Sequence, residues 1–203
     1  MPSVLKVDEI KNPSTNVTVI NTKTSHEIDC WKVNTNLENT NSTYTAWSRN
    51  NDTFNDGTPI GKFPIGTGLT ESSGIFSFPA TGVYQIDLTI MYSTNKNNAN
   101  PQWRFQVSKD NGSNYTNYGV VRATSSKDVA QGLNLQTTRK TASATFFVDV
   151  NSVTGSNATK FRIFASGIPA ANVVNMINQN VATVYTNYSN LLCQRIGNSP
   201  VAS

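Results

Sequence analysis

Residues 74–92, Gly-Ile-Phe-Ser-Phe-Pro-Ala-Thr-Gly-Val-Tyr-Gln-Ile-Asp-Leu-Thr-Ile-Met-Tyr, constrain this chain more than any other stretch. In the second half, Tyr84, Ile86, Leu88, Ile90 and Tyr92 alternate with Val83, Gln85, Asp87, Thr89 and Met91. A period of two sends successive side chains to opposite faces and marks a half-buried strand. In the first half, Ile75, Phe76 and Phe78 form a short apolar strand that ends at Pro79, which has no amide proton for a ladder. Gly82 then turns the chain where a side chain would clash. The stretch therefore predicts two strands joined by a tight corner, with Tyr84, Ile86, Leu88 and Ile90 in a core.

The same alternation recurs along the chain. Thr43, Thr45 and Trp47 oppose Tyr44 and Ala46, and Trp103, Phe105 and Val107 oppose Gln102, Arg104 and Gln106. Ala142, Ala144, Phe146, Val148 and Val150 oppose Thr141, Ser143, Thr145, Phe147 and Asp149. Asp110-Asn111-Gly112 predicts a hairpin turn, because its central positions tolerate positive φ. Residues 160–165 read as a further strand and residues 166–180 as a loop. A last strand is expected from Val181 or Ala182 to Ile196, with apolar positions on both faces. About eight short strands joined by turns and no long helix predict an all-β sandwich or barrel. With 19 aromatic residues in 203, there is material for a core of ordinary size.

Residues 1–40 differ from the rest. Val4, Leu5, Val7 and Ile10 are apolar among Lys and Asp, Val17 and Val19 suggest a short strand, and Ile28, Cys30, Trp31 and Val33 suggest another. These pieces are too small for a core of their own, so the segment is expected to act as an extended arm that docks on its own domain, a neighbouring subunit or a larger assembly. The polar run at residues 34–43 makes the boundary, giving an arm at 1–40 and a domain at 41–203. No signal-peptide pattern opens the chain and no run approaches a membrane span, so synthesis in a cytoplasm without membrane insertion is expected.

Composition argues against most chemistry. The formal charge is +4, yet the only adjacent basic pair is Arg139-Lys140, so nucleic acid is not expected as a partner. A stripe assembled from Arg104, Arg122 and Arg162 is the one arrangement that would reverse this. The single histidine, His26, lies among polar residues with no nucleophile motif nearby. Asp52 and Asp56 share a loop in which Asp is an ordinary turn residue, and Asp87 and Asp149 fall on polar strand faces as solvated or hydrogen-bonded carboxylates. Cys30, Cys193 and His26 match no zinc motif, and two reduced thiols are expected rather than a disulfide. Gly66-Thr67-Gly68 lacks the rest of a phosphate loop. No catalytic residue, metal or cofactor is expected.

Phe76, Pro79, Gly82 and Tyr84, in the pattern Gly-x-Phe-x-x-Pro-x-x-Gly-x-Tyr, resemble the central signature of the C1q/tumour-necrosis-factor-like family. Trp47-Ser48 resembles its first strand, and Tyr188-Ser189-Asn190-Leu191-Leu192 its last, with Asn190 where the family usually has Gly. The resemblance covers residues 43–196 and implies a ten-stranded jelly roll that forms a homotrimer around a three-fold axis, presents loops for binding and performs no catalysis. Leu5-Lys6-Val7-Asp8-x-Ile10 resembles the opening of marine tailed-phage structural proteins. Together these imply a virion protein, a trimeric knob in a capsid decoration, tail or fibre, held to other virion proteins through Val4, Leu5, Val7 and Ile10. Loops 50–58, 94–101 and 124–136 are expected to face outward. The alternative is an adhesin for a host receptor or carbohydrate, with Tyr115 and Tyr118 stacking on sugars.

Overall fold

The computed structural model describes residues 26–33, 41–50, 63–94, 101–122, 138–167, 174–176, 179–181, 184–186 and 189–199. The chain is a jelly-roll β-sandwich. Its strands in order are β1 (Ile28–Val33), β2 (Trp47–Arg49), β3 (Thr70–Ser72), β4 (Ile75–Ser77), β5 (Gly82–Thr94), β6 (Gln102–Ser108) and β7 (Thr116–Arg122). After them come β8 (Thr138–Val150), β9 (Lys160–Ser166), β10 (Val174–Met176), β11 (Gln179–Val181), β12 (Val184–Thr186) and β13 (Asn190–Gly197). One sheet runs β8–β5–β13–β1–β2 and the other β3–β4–β9–β6–β7, with all pairs antiparallel. β10 continues the β13 side of β5 by pairing with its C-terminal end.

The alternation read in residues 83–92 holds along β5: Tyr84, Ile86, Leu88, Ile90 and Tyr92 are buried and their neighbours half-buried. On β8 the inward set also keeps its register, with Phe146, Val148 and Val150 buried. Aromatic rings bridge the two sheets. Phe76 stacks on Phe161 at 4.8 Å and meets Trp31 and Trp47 edge-on, and Phe105 stacks on Phe146 at 4.5 Å. Burying such rings is the main source of stability in a sandwich of this kind.

The four signature residues meet at the corner between β4 and β5. Phe76 and Tyr84 are core residues, and Pro79 ends the β4 strand. The Tyr84 hydroxyl donates to the Ala80 carbonyl at 2.9 Å, tying the ring to the corner that precedes it. Gly82 has φ 148°, and a Cβ there would sit 2.6 Å from the Gly197 carbonyl oxygen, so the corner admits no side chain. In the β6–β7 turn, Asn111 and Gly112 take φ 59° and 91°, as the hairpin reading required.

Three expectations are corrected. Residues 28–33 belong to the sandwich itself, because β1 lies between β13 and β2 and buries Trp31 and Val33. The arm read at 1–40 therefore docks its last part on its own domain, and a separate arm can lie only upstream of Ile28. The loop read at 166–180 contains β10 and most of β11. The single long final strand is in fact a small β11–β12 hairpin followed by β13, since the chain turns back between residues 181 and 184. Val4, Leu5, Val7, Ile10, Asp52 and Asp56, and nearly all of the three outward loops, lie outside the described residues.

Candidate functional site

The strongest interaction feature is the outer face of the β8–β5–β13–β1–β2 sheet, whose inner face makes the core. Register alone sets its composition. Phe147 of β8 lies opposite Gln85 of β5, Gln85 opposite Gln194 of β13, Gln194 opposite Ile28 of β1, and Ile28 bridges to Ile65. This row crosses the whole sheet, about 19 Å at ordinary strand spacing. In the neighbouring row Val83 pairs with Asp149 and with Gly197, and the register shift there presents Ile196. Phe147, Ile196 and Ile65 are 52%, 50% and 50% exposed. Toward the opposite end the face is polar, with Thr89, Ser143, Asn190 and Lys32. At the first end Phe147 stands at one side of the face and Ile28 and Ile65 at the other, with Gln85 and Gln194 between them, which makes that end a candidate interaction surface.

Among the described residues β8 is also an edge strand, 13 residues long, a length that proteins normally cover or interrupt. The edge strand of the second sheet, β7, leans on it: the Tyr118 hydroxyl donates to the Phe147 carbonyl at 2.5 Å. Phe147 was visible in the sequence as the one aromatic on the Thr, Ser and Asp face of its strand, the signal that singles it out. Ile65 and Ile196 carried no periodic signal, since one sits in a single bridge and the other at a register shift.

Beside this edge, between the β6–β7 turn and the end of β8, opens a groove of about 510 Å³. Val107 and Val148 form its floor and Tyr118, 57% exposed, its wall. Lys109, Asn114, Thr116 and Asp149 supply polar groups at its rim. Asp110 braces the turn. Its carboxylate accepts the Ser108 hydroxyl at 2.6 Å, the Asn114 amide at 2.9 Å and the Asn114 side-chain NH2 at 2.7 Å. Those donors, Ser108 first, pull its pKa down to about 2. The Ser199 hydroxyl donates to Asp149 at 2.6 Å.

The other singled-out residues are in structural roles. Tyr115 is half-buried with the Arg162 guanidinium 4.0 Å over its ring, so it does not offer the open face that sugar stacking needs. Arg162 also donates to Gln106 at 2.7 Å. Arg122, Arg104 and Arg162 do share the outer face of the second sheet along a diagonal, but Arg162 is held down on Tyr115. Asp87 accepts from Thr145 at 2.6 Å and Gln85 at 2.9 Å. His26 is exposed. Cys30 faces the outer side of β1 and Cys193 the core side of β13, where Cys193 lies opposite Asp29; the two thiols cannot join within the chain. Burial, then the Asp29 charge, raises the Cys193 pKa far above an ordinary thiol. Among the described residues no three His, Cys, Asp or Glu side chains gather as a metal site, and no helix is long and apolar enough to cross a membrane.

One cluster was missed entirely. Asp29 and Glu27, buried at 2% and 5% exposure, pin residues 67–69 to β1. Glu27 accepts the Thr67 and Gly68 amides at 2.7 and 2.9 Å. Asp29 accepts the Leu69 amide and the Trp31 indole at 2.9 Å each, and Arg49 closes a forked ion pair on it at 3.0 and 3.1 Å. The Gly66-Thr67-Gly68 turn thus does hold an anion, and the anion is the chain's own carboxylate. A line of pairs 20 to 41 residues apart leaves no local signal.

No family model matches the chain, and no curated protein matches its sequence. Solved structures do match its fold. Eiger TNF from S. frugiperda superposes with a TM-score of 0.59 at 8% identity, covering 88% of this chain and 98% of that one. Murine APRIL at pH 5.0 superposes with a TM-score of 0.54 at 8% identity, covering 84% and 99%. The fold is a tumour-necrosis-factor-like jelly roll.

Proposed function

We propose that this chain is a non-enzymatic assembly module, a homotrimeric knob that is built into a virion. The observation that carries it is the outer sheet face, where Phe147, Ile196, Ile28 and Ile65 lie exposed or half-buried in neighbouring rows that run to β8, an edge strand among the described residues. A face of one copy set against the edge of the next is a heterologous contact, which closes into a ring when its rotation divides the circle. The resemblance of Phe76, Pro79, Gly82 and Tyr84 to the C1q/tumour-necrosis-factor-like signature supports a ring of three.

Attachment is assigned to the N-terminal residues. The similarity of Leu5-Lys6-Val7-Asp8-x-Ile10 to phage structural proteins supports a capsid-decorating, tail or fibre position, with Val4, Leu5, Val7 and Ile10 docking on other virion proteins. Deleting residues 2–20 leaves a soluble trimer that no longer joins particles; particles that incorporate the deletion at the full level would remove this role. A second reading, a receptor- or carbohydrate-binding adhesin, is favoured by one observation, the exposed ring of Tyr118 at the groove.

A further inference from the structure

We propose that the groove between the β6–β7 turn and the end of β8 binds a neutral saccharide ring, stacked on Tyr118 and hydrogen-bonded through Lys109, Asn114, Thr116 and Asp149. The inference rests on the adhesin reading. At about 510 Å³ the groove falls among small-ligand sites, and its lining combines an apolar floor with a few polar groups, as such sites do.

The ligand class follows from what the lining excludes. An anion would meet two carboxylates, Asp110 and Asp149, against one ammonium, Lys109. A compact cation would find the Asp110 oxygens already occupied by Ser108 and Asn114, and Lys109 beside it. A wholly apolar ligand would take the Lys109 ammonium and the Asp149 carboxylate out of water with nothing to offset it but the Ser199 hydroxyl on Asp149. A polyhydroxylated ring satisfies all of them. Its hydroxyls donate to the Asp149 carboxylate and the Asn114 side-chain carbonyl and accept from the Lys109 ammonium and the Thr116 hydroxyl, while its C–H face lies on the tyrosine.

The site is also held in shape before anything binds. Tyr118 cannot swing away easily, because its hydroxyl is tied to the Phe147 carbonyl and its ring packs edge-on against Phe105 at 6.1 Å. The turn carrying Asn114 is fixed by Asp110 and by the Gly112 amide, which donates to the Ser108 hydroxyl at 2.8 Å. Ordering costs that weaken sugar binding are thereby reduced in advance.

The test uses the full chain and a panel of free neutral hexoses, N-acetylhexosamines and their disaccharides at millimolar concentration. Glucuronic and sialic acids form the anionic arm. Binding is read by NMR titration and solution mass is read on the same samples. At least one neutral sugar binds saturably, and Tyr118→Ala and Asp149→Ala each weaken it about tenfold or more while the mass is unchanged. Tyr118→Phe, which keeps the ring, retains most of the affinity. The proposal is overturned if no neutral sugar saturates the intact protein, if only the acids bind, or if Tyr118→Ala binds as the wild type does. A monomeric mass with sugar binding preserved would remove the trimer and leave the groove standing.

Discussion

Two regions fasten this sandwich, and they do so by different physics. The corner at Phe76, Pro79, Gly82 and Tyr84 is closed by apolar packing, a hydrogen bond from the Tyr84 hydroxyl to a backbone carbonyl and a glycine that nothing else can replace. The knot at Glu27, Asp29 and Arg49 is closed by buried carboxylates that collect backbone amides, an indole and a guanidinium. The corner joins neighbours in sequence, and the knot joins β1 to residues some 40 positions later. Removing the interior of the first should abolish the fold; removing one partner of the second should strand the others and weaken it.

The largest effect is expected at the corner. Tyr84→Asp places an unpaired charge where the wild-type side chain is 1% exposed, and the domain should not fold, seen as loss of the β-sheet circular dichroism. Tyr84→Phe keeps the ring and loses only the bond to Ala80, about 1 kcal/mol in urea denaturation. At the knot, Asp29→Ala should cost about 3 kcal/mol, the low end for breaking a buried pair because Arg49 is partly exposed. Glu27→Gln leaves an oxygen to accept an amide and should cost about 1 kcal/mol. If Asp29→Ala were as stable as the wild type, the knot would be decoration and the contrast would collapse.

An alkaline titration sharpens the same comparison. Burial, the largest cause, pushes the Tyr84 hydroxyl up to about 12 from 10.0. The folded state thus holds that proton more tightly than the unfolded chain. Its contribution to stability is complete below pH 10 and is lost as pH rises toward 12. Burial also raises Tyr92 and Tyr115, so phenolate absorbance should show several tyrosines titrating above the ordinary value, and the step near 12 should vanish in Tyr84→Phe while the others remain. Asp110 has the opposite sign: its depressed pKa gives a contribution present above about 4 and lost as pH falls through about 2.

What could be read from the sequence follows the same division. The β5 and β8 alternations and the corner were legible because a period of two and a Pro-to-Gly spacing are local. The polar run at 34–43 reads as a linker and so places β1 in the arm, whereas β1 pairs with β2 in one sheet. The final strand reads too long in the sequence because Val181 to Leu192 stays rich in apolar residues across a hairpin and into β13. The knot could not be read at all, since Glu27, Asp29 and Arg49 look like surface charges until the fold places them beside residues 67–69. Of the candidate face, Phe147 was readable as an aromatic out of pattern, and its neighbours Ile196 and Ile65 were not.

Phe147 also provides the most direct test. At 52% exposure its side chain stands half in solvent, so Phe147→Asp should cost no more than about 1 kcal/mol, the span of strand preference, and leave the domain folded. Solution mass by light scattering, measured for the wild type and Phe147→Asp at the same micromolar concentration, should give three times 22.1 kDa for the first and 22.1 kDa for the second. A monomeric wild type, or a trimer that Phe147→Asp leaves intact, would contradict assembly through the outer sheet face.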